Sequence, residues 1–161
     1  ESRKEQGLVL GMNCRDNIAL PQIDALRRGP FLSPAAELDI YDSYQKRLSI
    51  RSPGWRQLVR NLSGGNQQKI VIGKWLAMKP RLLIVDEPTR GIDVGSKAEI
   101  HNLIRELARG GYAVIVISSE MPEILHVSDR IVTMHHGRVM REFTAAEANE
   151  DSLVQAISGL N

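Results

Sequence analysis

Eight residues constrain this chain more than any others: Arg81-Leu82-Leu83-Ile84-Val85-Asp86-Glu87-Pro88. A short unbroken apolar run with firm boundaries reads as a strand buried on both faces. Two adjacent carboxylates end it, and a proline follows. An isolated charge is very costly to bury, so Asp86 and Glu87 belong at the mouth of the strand rather than in the core. Open α/β sheets place their ligands at that end of their strands. Taken alone, the same run also fits a strand that ends in a polar loop.

The flanking segments narrow the choice. Thr89-Arg90-Gly91-Ile92-Asp93 reads as a turn ending in a helix cap. Ile100, Leu103, Ile104 and Leu107 then recur at helical spacing until Gly110-Gly111. A second apolar run, Ala113 to Ile117, ends in Ser118-Ser119-Glu120. Strand, amphipathic helix, strand is the crossover unit of a parallel sheet. Asp86, Glu87, Ser118 and Ser119 are therefore expected at one shared mouth.

Upstream, Asn13 to Leu20 reads as a short helix ended by Pro21, and residues 21–33 read as a loop. Ser33-Pro34 offers a cap and a first-turn proline for a helix to about Ile50, with Leu38, Tyr41, Tyr44 and Leu48 apolar. Ser52-Pro53-Gly54 breaks it. Leu62-Ser63-Gly64-Gly65-Asn66-Gln67-Gln68-Lys69 then opens a helix with Val71, Trp75 and Met78 on one face, closed by Pro80. A helix start carrying a hydroxyl and paired glycines exposes free N–H groups at the positive end of the dipole, which suits a phosphate. Glycine there lets an anion reach the backbone. A serine cap with a glycine turn and no ligand is the plainer alternative.

Downstream, Pro122 to Val127 reads as a short helix. Arg130 to His135 and Arg138 to Phe143 form a hairpin around His136-Gly137. His135 and His136 face opposite ways on a strand and lack a third ligand, so a turn is preferred over a metal pair. Thr144 and Glu147 form a capping box for a last helix, with residues 149–161 prone to fraying.

Composition excludes little but helps. Lys+Arg numbers 21 and Asp+Glu 19, a net +2, which gives no electrostatic argument for nucleic acid. No apolar run approaches the ~20 residues that span a bilayer. The polar start carries no visible signal peptide, and the single cysteine, Cys14, rules out an internal disulfide and fits the cytosol. A chain of 161 residues that begins with Glu1 reads as a piece of something longer.

Together these motifs resemble the ATP-binding-cassette ATPases. Leu62-Ser63-Gly64-Gly65 resembles their signature, Leu82 to Glu87 their Walker B strand, and Gly91-Ile92-Asp93 their D-loop. The fuller spellings, Leu62 to Lys69, Asp86 to Asp93 and Ser118 to Glu123, look like the second cassette of the double-cassette ATPases of bacterial ribose, galactose and xylose importers. The resemblance implies an α/β fold: part of a P-loop NTPase (RecA-like) parallel sheet with a helical signature subdomain. No Gly-x-x-x-x-Gly-Lys-Ser/Thr occurs, so the phosphate loop is absent. The division it implies is 1–79 for the helical subdomain, 80–143 for the second half of the nucleotide-binding core and 144–161 for a tail.

The resemblance also implies roles. ATP with Mg²⁺ would lie between two facing cassettes, the partner being the first cassette of the same polypeptide or a second copy. Leu62, Ser63, Gly64, Gly65, Asn66 and Gln67 would contact nucleotide held by the opposite cassette, with Asp93 at the interface. Asp86 and Glu1 would serve the metal, and Glu87 would polarise water. Ser119 falls where many cassettes carry a switch histidine, which it replaces with a single hydrogen-bonding hydroxyl. Glu1 falls about where a glutamine is usual, and Asn66 replaces another glutamine. The other implied partners are a membrane permease and, indirectly, a periplasmic sugar-binding protein. The implied place is the cytoplasmic face of the inner membrane, and the piece alone is expected to be inactive. Alternatives are a docking module contacting a permease through residues 1–62, or a cassette of DNA repair or translation, which the charge balance and motif spellings oppose.

Overall fold

The acid-tipped run is a strand. In a computed structural model describing residues 7–28 and 30–158, β3 (Leu82–Asp86) pairs in parallel with β4 (Ala113–Ile117), in register from Leu82↔Ala113 to Asp86↔Ile117. Helix α4 (Val94–Arg109) links them and buries Ile100, Leu103, Ile104 and Leu107. Burial is one-sided, contrary to the expectation from the unbroken apolar run. Leu83 and Val85 are buried, whereas Leu82 and Ile84 are 46% and 58% exposed, as are about half of Ile115 and Ile117. The α4 side fills one face; among the described residues nothing fills the other. Apolar content signals a face fit for burial, not what covers it.

The helical region precedes this pair. Asn13 caps α1 (Cys14–Ala19), its side chain accepting from Asp16 N–H. A single 3₁₀ turn with Pro21 follows. The segment read as a loop contains a minimal antiparallel hairpin, β1 (Arg27–Arg28) and β2 (Phe31–Leu32). Ser33 caps α2 (Pro34–Arg47), which stops three residues short of Ile50. Ser49 turns to φ +49°, and its carbonyl accepts from Lys69 Nζ at 3.1 Å. That reversal sends Ile50 into the core.

Helix α3 (Gly64–Leu76) buries Ile70, Ile72 and Leu76, not the face read from Val71, Trp75 and Met78. Trp75 and Met78 are half exposed. Gly73 lies on the buried side and makes room for this packing. A Cβ there would meet Leu48 Cδ1 at 3.1 Å, so α2 packs closely against this side. Tyr44 O–H donates to Leu76 O across the same contact at 2.8 Å.

One apolar core runs from Ile18, Tyr41 and Ile70 through Leu83 and Val85 to Ile100 and Ile104, across the expected boundary at 79/80. A smaller core joins Ile131, Phe143 and Leu153. It holds the hairpin of β5 (Arg130–His135) and β6 (Arg138–Thr144) against α5 (Met121–Val127) and α6 (Glu150–Ile157). His136 and Gly137, both at positive φ, make the hairpin turn. Thr144 and Glu147 do bond, but they close a turn. The capping box that opens α6 is Asn149 with Ser152. The sequence pattern marked Thr144–Glu147 alone, so the start of α6 is a correction. A cavity of about 620 Å³ is lined by β4 residues such as Val116 and β5 residues such as Thr133. No helix among the described residues is long and apolar enough to cross a membrane.

Candidate functional site

Ser63 stands just outside α3 with extended backbone, φ −61° and ψ 157°. Its Oγ accepts from Asn66 N–H at 3.4 Å and from the Asn66 side-chain amide at 2.9 Å. Asn66 Oδ1 in turn accepts from Arg51 N–H at 2.7 Å, which fixes which end of the amide faces Ser63. With its oxygen engaged as acceptor, the exposed Ser63 hydroxyl keeps its proton free to donate outward. Gln67 faces the other way. It is buried, and its amide donates to Val59 O at 3.1 Å and Leu62 O at 3.2 Å. It shapes the Leu62–Ser63 entry from behind rather than offering itself to a ligand.

Gly65 has a reason the sequence did not disclose. A Cβ at this position would lie 2.7 Å from both Cβ and Oγ of Ser96, in the first turn of α4. The start of α3 thus rests on the start of α4. Lys69 Nζ reaches Glu99 Oε2 at 2.9 Å, and Arg51 Nη2 reaches Glu99 Oε1 at 2.8 Å, bracing the same contact. Those cations hold the Glu99 carboxyl below its usual range, the Lys69 hydrogen bond foremost. Two helix N-termini therefore lie side by side, one capped by Ser63 and one by Asp93. Asp93 Oδ1 accepts from Ser96 N–H at 2.9 Å, and hydrogen bonds from Ser96 pull its carboxyl down. Lys69, Ser96 and Glu99 escaped the sequence reading. A lysine on an apolar helix face was the one available signal, but its partner lies thirty residues away.

At the strand mouth, Asp86 is the last exposed residue of β3. Glu87 leaves the strand at φ +47°, a left-handed conformation that costs a non-glycine residue about 1–2 kcal/mol. Its N–H still donates to Ile117 O at 2.8 Å, and its Oε1 accepts from Ser119 N–H at 2.9 Å. The second oxygen, Oε2, has no hydrogen-bond partner among the described residues. So the backbone of Ser119, not its hydroxyl, meets Glu87. The turn closes through Arg90 N–H to Glu87 O and Ile92 N–H to Thr89 O, with Gly91 at φ +68°. Thr89 is buried, its hydroxyl without a partner among the described residues.

The structure thus brings the expected residues into two groups. Leu62 to Gln67 surround the α3 start; Asp86, Glu87 and Ser119 gather at the β3–β4 mouth, with Asp93 between as the α4 cap. Among the described residues no hydrogen bond joins Ser63, Gly64 or Asn66 to Asp86 or Glu87. Glu1 lies outside the described residues. No cluster of three or more His, Cys, Asp or Glu residues suited to a metal occurs among them. The exposed carboxylate of Asp86 still fits Mg²⁺, which needs only one or two protein carboxylates beside phosphate oxygens and water.

Comparison with known proteins agrees with this geometry. The ribose import ATP-binding protein RbsA of Jannaschia sp. (strain CCS1) is 49% identical over 160 residues, covering 99% of this chain and 31% of that protein. The xylose import ATP-binding protein XylG of Thermoanaerobacter pseudethanolicus (strain ATCC 33223 / 39E) is 49% identical over 159 residues, 99% of this chain and 32% of that protein. The chain therefore spans about a third of the length of these curated relatives, corresponding to their C-terminal part. Among solved structures, a dimeric ATP-binding cassette in a post-hydrolysis state, bound to ADP and Pi, superposes with TM-score 0.71 at 23% identity. That match covers 88% of this chain and 60% of that one. The ADP conformation of another ATP-binding cassette gives 0.69 at 21% identity, over 93% of this chain and 60% of that one. These likenesses show an α/β ATP-binding-cassette fold. The family profile described as ABC transporter matches residues 4–90, more than half of the 161, and the chain belongs to that family.

Proposed function

We propose that this chain is part of the ATP-binding subunit of a bacterial monosaccharide importer and contributes to two ATP sites shared with a facing cassette. The sugar class rests on the ribose and xylose import relatives. The observation that carries the chemistry is Glu87. One of its carboxylate oxygens is anchored by Ser119 N–H and the other is open, on a strained backbone at the mouth of a parallel pair. A carboxylate held this way can accept a proton from water aimed at a γ-phosphate. Phosphoryl transfer asks little more of a protein than positioning and charge stabilisation.

Asp86, beside it, is the residue to hold Mg²⁺, with Glu1 as the second carboxylate assigned to the metal. Mg²⁺ arriving with ATP would polarise the phosphate oxygens. The α3 start does its work on the other cassette's nucleotide: Ser63 donates its hydroxyl proton to a γ-phosphate oxygen, helped by the N–H groups of Gly64 and Gly65 and the positive helix end. Asn66 aims Ser63, and Gln67 holds the Leu62 carbonyl behind it. Asp93 fixes the turn at the interface between cassettes. The division into 1–79, 80–143 and 144–161 then separates the part that reaches the other cassette from the part that completes its own site.

The partners are the facing cassette, a membrane permease and, through it, a periplasmic sugar-binding protein; nucleic acid is not among them. The subunit sits on the cytoplasmic face of the inner membrane. Because Ser119 supplies a backbone N–H where many cassettes use a histidine, the Glu87 site is the slower of the two. In the full-length subunit with its permease, Ser63→Ala then lowers ATP turnover more than Glu87→Gln does. The reverse order refutes the unequal sites. A purified subunit–permease complex that hydrolyses no ATP refutes the function.

A further inference from the structure

Lys97, His101 and Arg105 lie one turn apart on α4. Across from them on the second helix, Glu120, Glu123 and His126 follow at intervals of three, Glu120 being the cap of α5. Each residue meets its counterpart. Lys97 Nζ donates to both Glu120 oxygens, at 2.7 and 2.6 Å. His101 Nε2 lies 2.8 Å from Glu123 Oε1. Arg105 Nη2 lies 2.9 Å from His126 Nε2, and Arg105 Nη1 donates to His126 O at 3.4 Å. Spacings of four and three both keep residues on one helix face, so the three pairs stack as rungs.

The middle rung differs from its neighbours. The Glu123 side chain is 2% exposed, and its Oε2 is buried with no partner among the described residues. His101 is the only side chain that bonds this carboxyl among the described residues. A buried polar group with one partner is costly to mispair, so it specifies one register of α5 on α4 more sharply than apolar contact can.

We infer that this ladder positions the Glu87 carboxylate, with Lys97, His101 and Glu123 as positioning residues. The connection is short. Helix α5 begins directly after Ser118-Ser119; Glu120 N–H donates to Ser118 Oγ at 3.0 Å, and Ser119 N–H anchors Glu87 Oε1 at 2.9 Å. A slide of α5 along α4 would carry the Ser119 amide off the carboxylate. The ladder therefore takes over, through helix register, part of what a switch side chain at position 119 would do directly. This rests on the reading of Glu87 as the water-activating group.

The test uses the full-length subunit and two readouts: hydrogen exchange of the Ser118–Glu120 amides, and steady-state ATP hydrolysis. Lys97→Met, on the outer rung, removes the forked pair of hydrogen bonds to Glu120, Glu123→Leu removes the buried acceptor of His101, and each speeds exchange at these amides about tenfold. They lower kcat and leave KM for ATP within about twofold, since the binding contacts stay in place. Glu123→Gln keeps an acceptor for His101 and stays near the parent in both. Unchanged exchange in Lys97→Met and Glu123→Leu overturns the ladder, as does Glu123→Gln behaving like Glu123→Leu. If the subunit hydrolyses no ATP, the functional reading fails while the exchange readout still decides the ladder. Lys97 is partly exposed, so its variant keeps the test open should Glu123→Leu not fold.

Discussion

Gly65→Ala probes the contact between the two helix starts. The added methyl would sit 2.7 Å from Ser96 Cβ, against about 3.5–4.0 Å for a comfortable carbon–carbon contact. Ser96 Oγ, also at 2.7 Å, can rotate away. Its Cβ cannot, because it moves only with the α4 backbone. Overpacking of this kind costs about 1–3 kcal/mol. Replacing glycine by alanine in a helix returns up to about 1 kcal/mol, less in the first turn. The net expectation is a destabilisation of about 1–2 kcal/mol. Ser96→Gly removes the obstacle at its own cost of about 0.5 kcal/mol in helix propensity. The propensity changes cancel in the cycle, so the double variant should lie above the sum of the two singles by the overpacking cost, about 1–3 kcal/mol.

Urea unfolding followed by tryptophan fluorescence suits the measurement, since Trp75 sits on α3 itself. A shifted midpoint with unchanged slope is the expected form. Zero coupling, or a Gly65→Ala variant more stable than the parent, refutes the packing argument. The same cycle in the full-length subunit separates two reasons for the glycine. If Gly65 is there for α4, Ser96→Gly restores much of the ATP turnover that Gly65→Ala removes. If it is there for a phosphate, Ser96→Gly restores none.

Burial pushes the Cys14 thiol up from 9.0 to about 11. A raised acid pKa favours the folded state while the thiol is protonated, so this contribution is complete below pH 9 and disappears as the pH passes 11. Cys14 should resist alkylation at pH 8 until urea unfolds the chain; labelling of the native protein at the unfolded rate would contradict this. The depressed Asp93 carboxyl has the opposite sign. Its capping contribution is present above the ordinary aspartate pKa and is lost as the pH falls through the lowered value. Asp93→Asn keeps the cap but removes that acid-limb loss, which urea midpoints measured down the acid range would reveal.

Much of the local architecture is written in short stretches of the chain. Caps at Ser33, Ser63 and Asp93 were legible because a short polar side chain before an apolar-periodic run has few other uses. The strand–helix–strand unit was legible because its periods change cleanly from run to helix to run. Adjacent carboxylates at the end of an apolar run had nowhere to go but the mouth.

What failed was whatever depends on distant partners. Trp75 and Met78 look like core until Gly73 lets α2 pack on the other side of α3. Gly65 reads from the sequence as an anion contact alone, and only the close approach of Ser96 gives the glycine a second, packing reason. Gln67 reads as part of the signature surface, yet it turns inward because the carbonyls of Val59 and Leu62 need its amide. Thr144 and Glu147 carry the capping-box pattern, yet the helix starts five residues later at Asn149 and Ser152, where the chain meets the small core. Local patterns record what a residue can do with its neighbours in the chain. Which partner it meets across thirty residues is set by close packing, and no spacing rule in the sequence encodes that.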